Sequence, residues 1–165
     1  MSKNGFFSHL FSLLNRDLTG NTWNTESSHP YFGEMTYYGF KKNNNGYWEC
    51  EVACEGSFLS VIINSPTETL PTSEHVDFVQ SIIDDLDATF NLTQSKIVEM
   101  FEKFLEIPFP EDWKKAFLFT GMEIPLDADP RNNWELSFEC LLDKEGHYFT
   151  CYFENNVPVG VSVDG

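Results

Sequence analysis

Histidine and cysteine, the side chains that most often act in catalysis and metal binding, are few in this chain and widely spaced. No two histidines stand at the spacing of zinc ligands, and no His-Glu-x-x-His motif occurs, so the sequence predicts no metal. A metal site assembled from distant segments is the alternative that this spacing leaves open. His75 falls in the first turn of a predicted helix and His147 beside a predicted turn, so both are expected at the surface. The histidines are His9, His29, His75 and His147.

The cysteines form no motif that would make a reactive thiol or bind a metal. None belongs to a Cys-x-x-Cys pair, and each lies in an apolar and aromatic stretch that is typical of a strand. A thiol in such a stretch has no neighbouring cation to lower its pKa. We therefore predict buried, reduced thiols that pack as small hydrophobic groups, with a disulfide between neighbouring strands as the alternative. They are Cys50, Cys54, Cys140 and Cys151.

Carboxylates are plentiful, but their spacing matches no catalytic or calcium-binding pattern. Glycoside hydrolysis needs two of them across a cleft, whereas Asp84, Asp85 and Asp87 fall on a predicted helix surface. Asp127 and Asp129 are spaced like calcium ligands, but the glycine and the closing glutamate of a calcium loop are missing. The chain also lacks a Gly-x-Ser-x-Gly elbow and a phosphate-binding glycine loop. The sequence thus favours a protein that is not an enzyme, with no catalytic residue and no cofactor.

The strongest feature of the sequence is its negative charge. Twenty-six Asp and Glu against ten Lys and Arg give a formal charge of −16. Residues 67–165 hold twenty of the acids and six of the bases, net −14. A charge magnitude of about 2–8 keeps a small domain soluble, so solvation of a Phe-rich chain explains only part of this excess. Such a field repels nucleic acid and anionic membranes and attracts a cationic partner.

Length and composition predict one folded domain spanning residues 1–165. The chain is 41% hydrophobic and 16% aromatic, whereas acidic disordered chains lack aromatic residues. The N-terminal region shows neither the apolar core nor the small-residue cleavage site of a signal peptide. No apolar run approaches the roughly 20 residues of a transmembrane helix. We therefore expect a cytoplasmic protein.

Hydrophobic periodicity places these residues on predicted elements. Residues 5–15 have helical spacing and residues 16–30 are polar, so the first thirty residues are predicted to form a helix and a loop. The period is then two residues, changes to 3.6 after Pro71, and later returns to two. The predicted strands are 33–40, 47–54, 57–63, 117–126, 134–142, 147–153 and 157–163.

Two helices with acidic outer surfaces are predicted between the third and the fourth of these strands. The first begins at Thr72 or Ser73 as its N-cap. The second begins near Thr93 and is ended by Pro108. A short third helix is predicted over 110–116.

This order of elements predicts an α+β fold: an antiparallel β-sheet of about six to seven strands, with two to three helices packed on one face. Alternation in the strands predicts one face toward the helices and one toward solvent. Pro158 and Gly160 do not suit a central strand, so the last segment is predicted at a sheet edge or at a bulge.

Several of these segments together resemble a known group of proteins. They are the stretch Phe32-Gly33-Glu34-Met35, the stretch Gly46-Tyr47-Trp48-Glu49, the run Val61-Ile62-Ile63, the helix start Pro71-Thr72-Ser73, the helix pair and the closing β meander. From about residue 31 to the C-terminus, the chain resembles small bacterial α+β domains that accompany polymorphic toxins. Within that group it is similar to immunity proteins of contact-dependent growth inhibition systems.

This resemblance implies a non-catalytic protein that binds the C-terminal domain of a toxin and blocks it in the producing cell. Toxins of this kind are often nucleases, whose substrate-binding faces are basic. The resemblance carries over no residue-level site, because immunity proteins vary most where they touch their toxins.

Charge and resemblance lead to one hypothesis: a monomeric-to-dimeric immunity protein that binds a basic surface of its cognate toxin domain as a 1:1 complex. No direct contact with nucleic acid or membrane is expected, and strand addition at an exposed edge of the β meander is a second binding device. The alternatives are an acidic DNA mimic or regulatory adaptor on a nucleic-acid-handling protein, and an enzyme of unknown class. The predicted partner-binding residues are Asp84, Asp85, Asp87, Glu123, Asp127, Asp129 and Glu154.

Overall fold

The computed structural model describes residues 22–41 and 45–165, which form one β-sheet with two α-helices packed on one of its faces. The strands lie side by side in the order in which they follow along the chain. Helices α1 (Ser73–Ile83) and α2 (Leu86–Leu105) and a 3-10 turn (Trp113–Lys115) come between the fourth and the fifth strand. The strands are β1 (Thr22–His29), β2 (Gly33–Phe40), β3 (Asn45–Cys54), β4 (Ser57–Asn64), β5 (Phe117–Ile124), β6 (Trp134–Cys140), β7 (Tyr148–Glu154) and β8 (Val157–Asp164).

The α+β class is confirmed, but the sheet has eight strands and not the six to seven that the sequence predicts. The additional strand is β1, which lies within the predicted polar loop 16–30 and pairs with β2 along its whole length. Its sequence is polar apart from Trp23, so no apolar alternation marks it. Threonine favours strands, and polar residues suit a sheet edge that has a neighbour on one side only. The predicted helix over 5–15 lies outside the described residues.

One pair of neighbouring strands corrects the prediction of an antiparallel sheet. β4 and β5 are parallel, whereas the other neighbouring strands are antiparallel. The two helices between them carry the chain back to the end of the sheet where β4 begins. The ion pair of Lys114 with Glu55 marks that return, because it joins the 3-10 turn before β5 to the β3–β4 hairpin.

The first helix begins where the sequence predicts, but the second begins earlier than predicted. Thr72 is the N-cap of α1 as predicted. α1 ends at Asp84, and Asp85 caps α2 by accepting a hydrogen bond from the Ala88 N–H at 2.9 Å. The predicted second start, Thr93, is buried inside α2, where its hydroxyl donates to a backbone carbonyl. In the part of the chain that the structure describes, no helix is both long and apolar enough to cross a bilayer.

The core lies between the helices and the inner face of the sheet, which we define as the strand side chains that point toward α1 and α2. Phe90 and Phe101 of α2 pack among aromatic rings from β5 to β7, and both are almost fully buried. Alternation in the strands predicts this face correctly. The inner-face residues are Met35, Tyr37, Trp48, Cys50, Val52, Leu59, Val61, Ile63, Phe117, Phe119, Met122, Ile124, Trp134, Leu136, Phe138, Cys140, Phe149, Cys151 and Phe153.

The last strand is an edge strand with a bulge, as the sequence predicts. Among the described strands β8 pairs with β7 alone, and the register shifts between Tyr152 and Phe153, opposite Gly160 and Pro158. Proline cannot donate a hydrogen bond, so it blocks pairing of a further strand at this point of the edge.

Candidate interaction surface

The outer face, which we define as the strand side chains pointing away from α1 and α2, carries carboxylates and hydroxyls where the inner face carries a core. None of the eight strands contains a lysine or an arginine. The charged side chains of the outer face are therefore all acidic. Its principal residues are Glu26, Tyr38, Tyr47, Glu49, Glu51, Phe58, Ser60, Ile62, Leu118, Glu123, Glu135, Ser137, Glu139, Tyr148, Thr150, Tyr152, Ser162 and Asp164.

Two glutamates stand directly opposite each other on the outer face, near the end of β5 and the start of β6. Glu123 of β5 and Glu135 of β6 are register partners. Directly opposite residues have Cβ atoms about 4.5–5.5 Å apart, and like charges at this distance repel. Glu123 accepts a hydrogen bond from Asn64 Nδ2 at 2.8 Å, which satisfies one of its oxygens. The pair places two negative charges together without a lysine or arginine on the same strands.

Burial makes these charges more costly. Burial, together with the charges of Glu123 and Asp164, raises the pKa of Glu135 to about 8. Burial also raises the pKa of Glu123, against the opposing effect of its hydrogen bond from Asn64. On β3, burial and the neighbouring Glu51 raise the pKa of Glu49 to about 7. These three carboxylates are therefore poorly solvated groups whose ionised form a cation would stabilise.

A pocket opens beside this pair at the end of β6 and β7. Its volume is about 330 Å³, and Glu123 and Glu135 line it together with Tyr152 and Glu154. Two residues predicted as partner-binding, Glu123 and Glu154, thus meet at one pocket. Glu135 was not among the predicted residues.

The three acids predicted on the helices lie on the opposite side of the molecule, at the junction of α1 and α2. Asp85 is engaged as the cap of α2, and Asp87 accepts a hydrogen bond from Trp113 Nε1 at 2.8 Å. Asp84 is exposed at the end of α1. The structure therefore does not bring these acids together with Glu123 and Glu154.

Asp127 and Asp129 form a third group, in the loop between β5 and β6. Asp127 accepts hydrogen bonds from Asn132 Nδ2 at 2.8 Å and 3.0 Å, and Asp129 forms an ion pair with Arg131. These donors lower the pKa of Asp127 and hold that of Asp129 at about 2. Both carboxylates already have partners that order the loop.

His75 was expected at the surface, but it is buried. Its Nδ1 accepts a hydrogen bond from the Thr72 N–H at 3.1 Å, and its Nε2 donates to the Leu126 carbonyl at 2.9 Å. Burial lowers its pKa, which favours the neutral ring that these contacts require. The ring ties the start of α1 to the loop after β5, beside a cavity of about 270 Å³. With both nitrogens engaged, His75 is a structural residue.

The cysteines are free thiols, three of them buried. Burial raises the pKa of Cys50 and that of Cys151 to about 12, so neither ionises near neutral pH. Within residues 22–41 and 45–165, no group of three His, Cys, Asp or Glu side chains is placed to hold a metal ion.

The end of the outer face where β4 and β5 begin is apolar. Phe58 is 67% exposed and Leu118 is 41% exposed. Leu118 is the register partner of Glu139, and Phe58 is followed two residues later by Ser60, whose partner is Glu51. Carboxylates thus stand on both sides of this exposed apolar pair.

Ser60 is the one buried polar side chain of the described residues that has no hydrogen-bond partner. It is 8% exposed and lies on β4 between the apolar end and the glutamate pair. A buried hydroxyl without a partner lowers stability, because its hydration is lost and not replaced.

Sequence reasoning missed Glu49, Glu51, Glu135 and Glu139 as site residues, although their signal was present. Each alternates with a buried inner-face residue, which is the pattern of acids on one side of a strand. The register that places Glu135 beside Glu123 is information that one strand alone does not contain.

Comparison with protein-family models, with curated proteins and with solved structures finds no match to this chain.

Proposed function

We propose that this chain is an immunity-type inhibitor: a non-catalytic protein that binds the C-terminal domain of a cognate toxin through a basic surface of that domain. The acidic outer face is the contact surface, and it includes the Glu123–Glu135 pair. The partner supplies lysine and arginine side chains, and the complex has one copy of each protein.

The observation that carries the proposal is the placement of unbalanced charge on one face. Lysine and arginine are absent from every described strand, whereas glutamates occupy the outer face of β1, β3, β5 and β6. Only two ion pairs of Lys or Arg with a carboxylate occur among the described residues, Lys114 with Glu55 and Arg131 with Asp129. Most of the acidic excess therefore has no cation within the described protein.

Repulsion on the outer face opposes folding, and a basic partner removes that cost on binding. A group that ionises poorly in the free protein becomes fully charged when a cation lies against it. Long-range attraction between opposite charges also speeds encounter. The first effect strengthens binding of a basic partner and the second speeds its association, and both properties suit an inhibitor.

The resemblance to immunity proteins of contact-dependent growth inhibition supports the same function independently of charge. It comes from the strand and helix segments between residue 31 and the C-terminus. The raised thiol pKa of Cys50 and the fully bonded ring of His75 support a non-catalytic role, because neither side chain is poised to attack or to accept a proton.

Co-expression tests the proposal directly. The C-terminal domain of the protein encoded immediately upstream is produced with and without this chain, and growth is measured. We expect the domain to stop growth alone and growth to recover with this chain. Purified proteins then form a 1:1 complex whose association rate falls steeply with added salt.

Matched charge variants locate the contact. E49Q/E123Q/E135Q removes three outer-face carboxyl groups that a basic partner would hold in the ionised form, whereas D77N/E99Q/E111Q removes three carboxyl groups from the helix layer. We expect the first variant to weaken binding by at least about tenfold and to flatten the salt dependence, and the second to change binding by less than about threefold.

Two results would contradict the proposal. The first is failure of the upstream domain to bind. The second is tight binding of a DNA-binding host protein in its place, as an acidic DNA mimic requires.

A further inference from the structure

We infer that the end of the outer face where β4 and β5 begin anchors the interface, and that the partner presents there an apolar spot bordered by lysine and arginine. The inference rests on the proposed function and adds which part of the outer face makes the closest contact. We call this region the anchor; it consists of Phe58 and Leu118 with the carboxylates of Glu51 and Glu139 beside them.

The anchor exposes two large apolar side chains on neighbouring strands. Phe58, at 67%, is the most exposed large hydrophobic side chain of the described residues, and Leu118 is 41% exposed. They occupy neighbouring parallel strands, two and three residues before the paired Ser60 and Gly121. Single exposed apolar residues are ordinary, whereas adjacent ones within a polar rim mark interaction sites. An exposed aromatic ring at such a site is the usual source of binding energy.

The anchor stands on a rigid support. Phe58 follows the two-residue turn of the β3–β4 hairpin, where Glu55 and Gly56 have φ of 46° and 80°. Lys114 Nζ bonds both oxygens of Glu55, at 3.0 Å and 3.1 Å, and so fixes the hairpin tip to the 3-10 turn before β5. A backbone that is already held in place loses little conformational entropy on binding.

The carboxylates around the anchor indicate which kind of surface binds there. Glu51 lies directly opposite Ser60 on β3, and Glu139 lies directly opposite Leu118 on β6, so carboxylates border the apolar pair on two sides. A second copy of this chain, at −16, would set carboxylates against carboxylates. Nucleic acid and anionic membrane are repelled for the same reason. The surface that fits is that of a protein with apolar side chains bordered by lysine and arginine.

The test uses the full-length chain and two probes. The first probe is the domain encoded upstream. The second is a helical peptide of leucine and lysine with one apolar face bordered by lysines, which carries the stated chemistry and needs no knowledge of the partner. Binding of both is measured by calorimetry for the wild type, F58A/L118A, E51Q/E139Q and the control L92A, whose side chain is 40% exposed on α2.

We expect F58A/L118A to weaken binding of each probe by at least about tenfold at every salt concentration. E51Q/E139Q should weaken binding mainly at low salt, and L92A should change it by less than about twofold. Amide shifts induced by the peptide should centre on β4 and β5. Unchanged melting temperatures establish that all the variants fold.

Equal affinity of the peptide for F58A/L118A and for the wild type would overturn the inference, whatever the upstream domain does. Peptide-induced shifts centred on α1 and α2 would overturn it as well. Peptide binding at the anchor without binding of the upstream domain would instead contradict the proposed function and leave the anchor in place.

Discussion

The two faces of the sheet are built from alternate residues of the same strands, yet they have opposite chemistry. On β6, Leu136 and Phe138 of the inner face are buried against the helices, while Glu135 and Glu139, which flank them along the strand, point outward. The inner face binds the helices through apolar contact. The outer face gathers carboxylates that repel one another. A strand that gains its stability on one side is thereby free to carry unfavourable charge on the other.

The acids of the helix layer and loops differ from those of the outer face in a second way. Asp85, Asp87, Asp127 and Asp129 accept hydrogen bonds that order a helix end or a loop. Among the described residues, no hydrogen-bond donor to Glu135 is found, and its neighbours Glu123 and Asp164 and its burial disfavour its charge. Position relative to local donors, and not the number of acids alone, decides which carboxylates are available to a partner.

The largest effect should come from the inner face. Phe101 of α2 is fully buried and packs against Phe109 and Phe117. Phe101→Ala should lower the free energy of unfolding by about 3–5 kcal/mol, through lost transfer energy and a residual cavity. Phe58→Ala on the outer face should change it by less than about 0.5 kcal/mol. Urea denaturation of both variants measures the difference, and similar losses would remove the distinction between the faces.

The second effect is a dependence of stability on pH that arises on the outer face. The folded pKa of Glu135 is about 8, well above the unfolded value near 4.3. The folded state therefore binds a proton more tightly, so stability is greatest below the unfolded pKa and is lost as pH rises through 8. Between pH 5 and pH 8.5 we expect a loss of roughly 2–4 kcal/mol, to which Glu49 contributes in the same window.

Glu135→Gln isolates this contribution, because the amide has nearly the same shape and cannot ionise. We expect it to flatten the stability profile and to stabilise the protein at pH 8.5. The depressed pKa of Asp129 acts only below about pH 4, so it does not disturb this window. Urea denaturation at several pH values, with Glu99→Gln on α2 as the control, makes the measurement. Parallel profiles for wild type and Glu135→Gln would show that Glu135 does not carry the effect.

The sequence predicts those features of the fold that depend on residues close together along the chain. Trp48, Cys50 and Val52 alternate with polar residues, so their burial follows from period alone. Periodicity does not predict β1, because its polar residues form a strand only through pairing with β2. Periodicity does not predict the break at Asp85 either, because apolar spacing continues through Leu86 and Phe90 on the other side of the cap.

The candidate site is harder to predict than the fold. Glu123 and Glu135 become neighbours through a register that includes a bulge between Phe119 and Gly121. No local pattern specifies that register. Acids on helices are easy to recognise as a group, and for this reason the prediction favoured Asp84, Asp85 and Asp87.

The smallest predicted effect concerns the hydroxyl of Ser60 on the outer face, which differs from the buried hydroxyls on the inner side of the sheet. On the inner side, Thr89 and Thr93 of α2 are buried, and their hydroxyls donate to backbone carbonyls at 2.8 Å. On the outer side, Ser60 Oγ is buried without a partner. Removing a satisfied hydroxyl loses a hydrogen bond, whereas removing an unsatisfied one loses only a desolvation cost.

Ser60→Ala should therefore leave the free energy of unfolding unchanged or raise it by up to about 1 kcal/mol. The matching variant on the inner side is Thr89→Val, which removes the hydroxyl while nearly keeping the side-chain volume. Thr89→Ser, by contrast, keeps the hydroxyl and removes a methyl group. Thr89→Val should thus lower stability by about 1 kcal/mol through its lost bond to the Ile82 carbonyl. Thermal and urea unfolding of Ser60→Ala and Thr89→Val measure the opposite signs. A loss in Ser60→Ala equal to that in Thr89→Val would mean that the Ser60 hydroxyl is as well bonded as those of α2, and the outer face would then lack the unsatisfied group that distinguishes it.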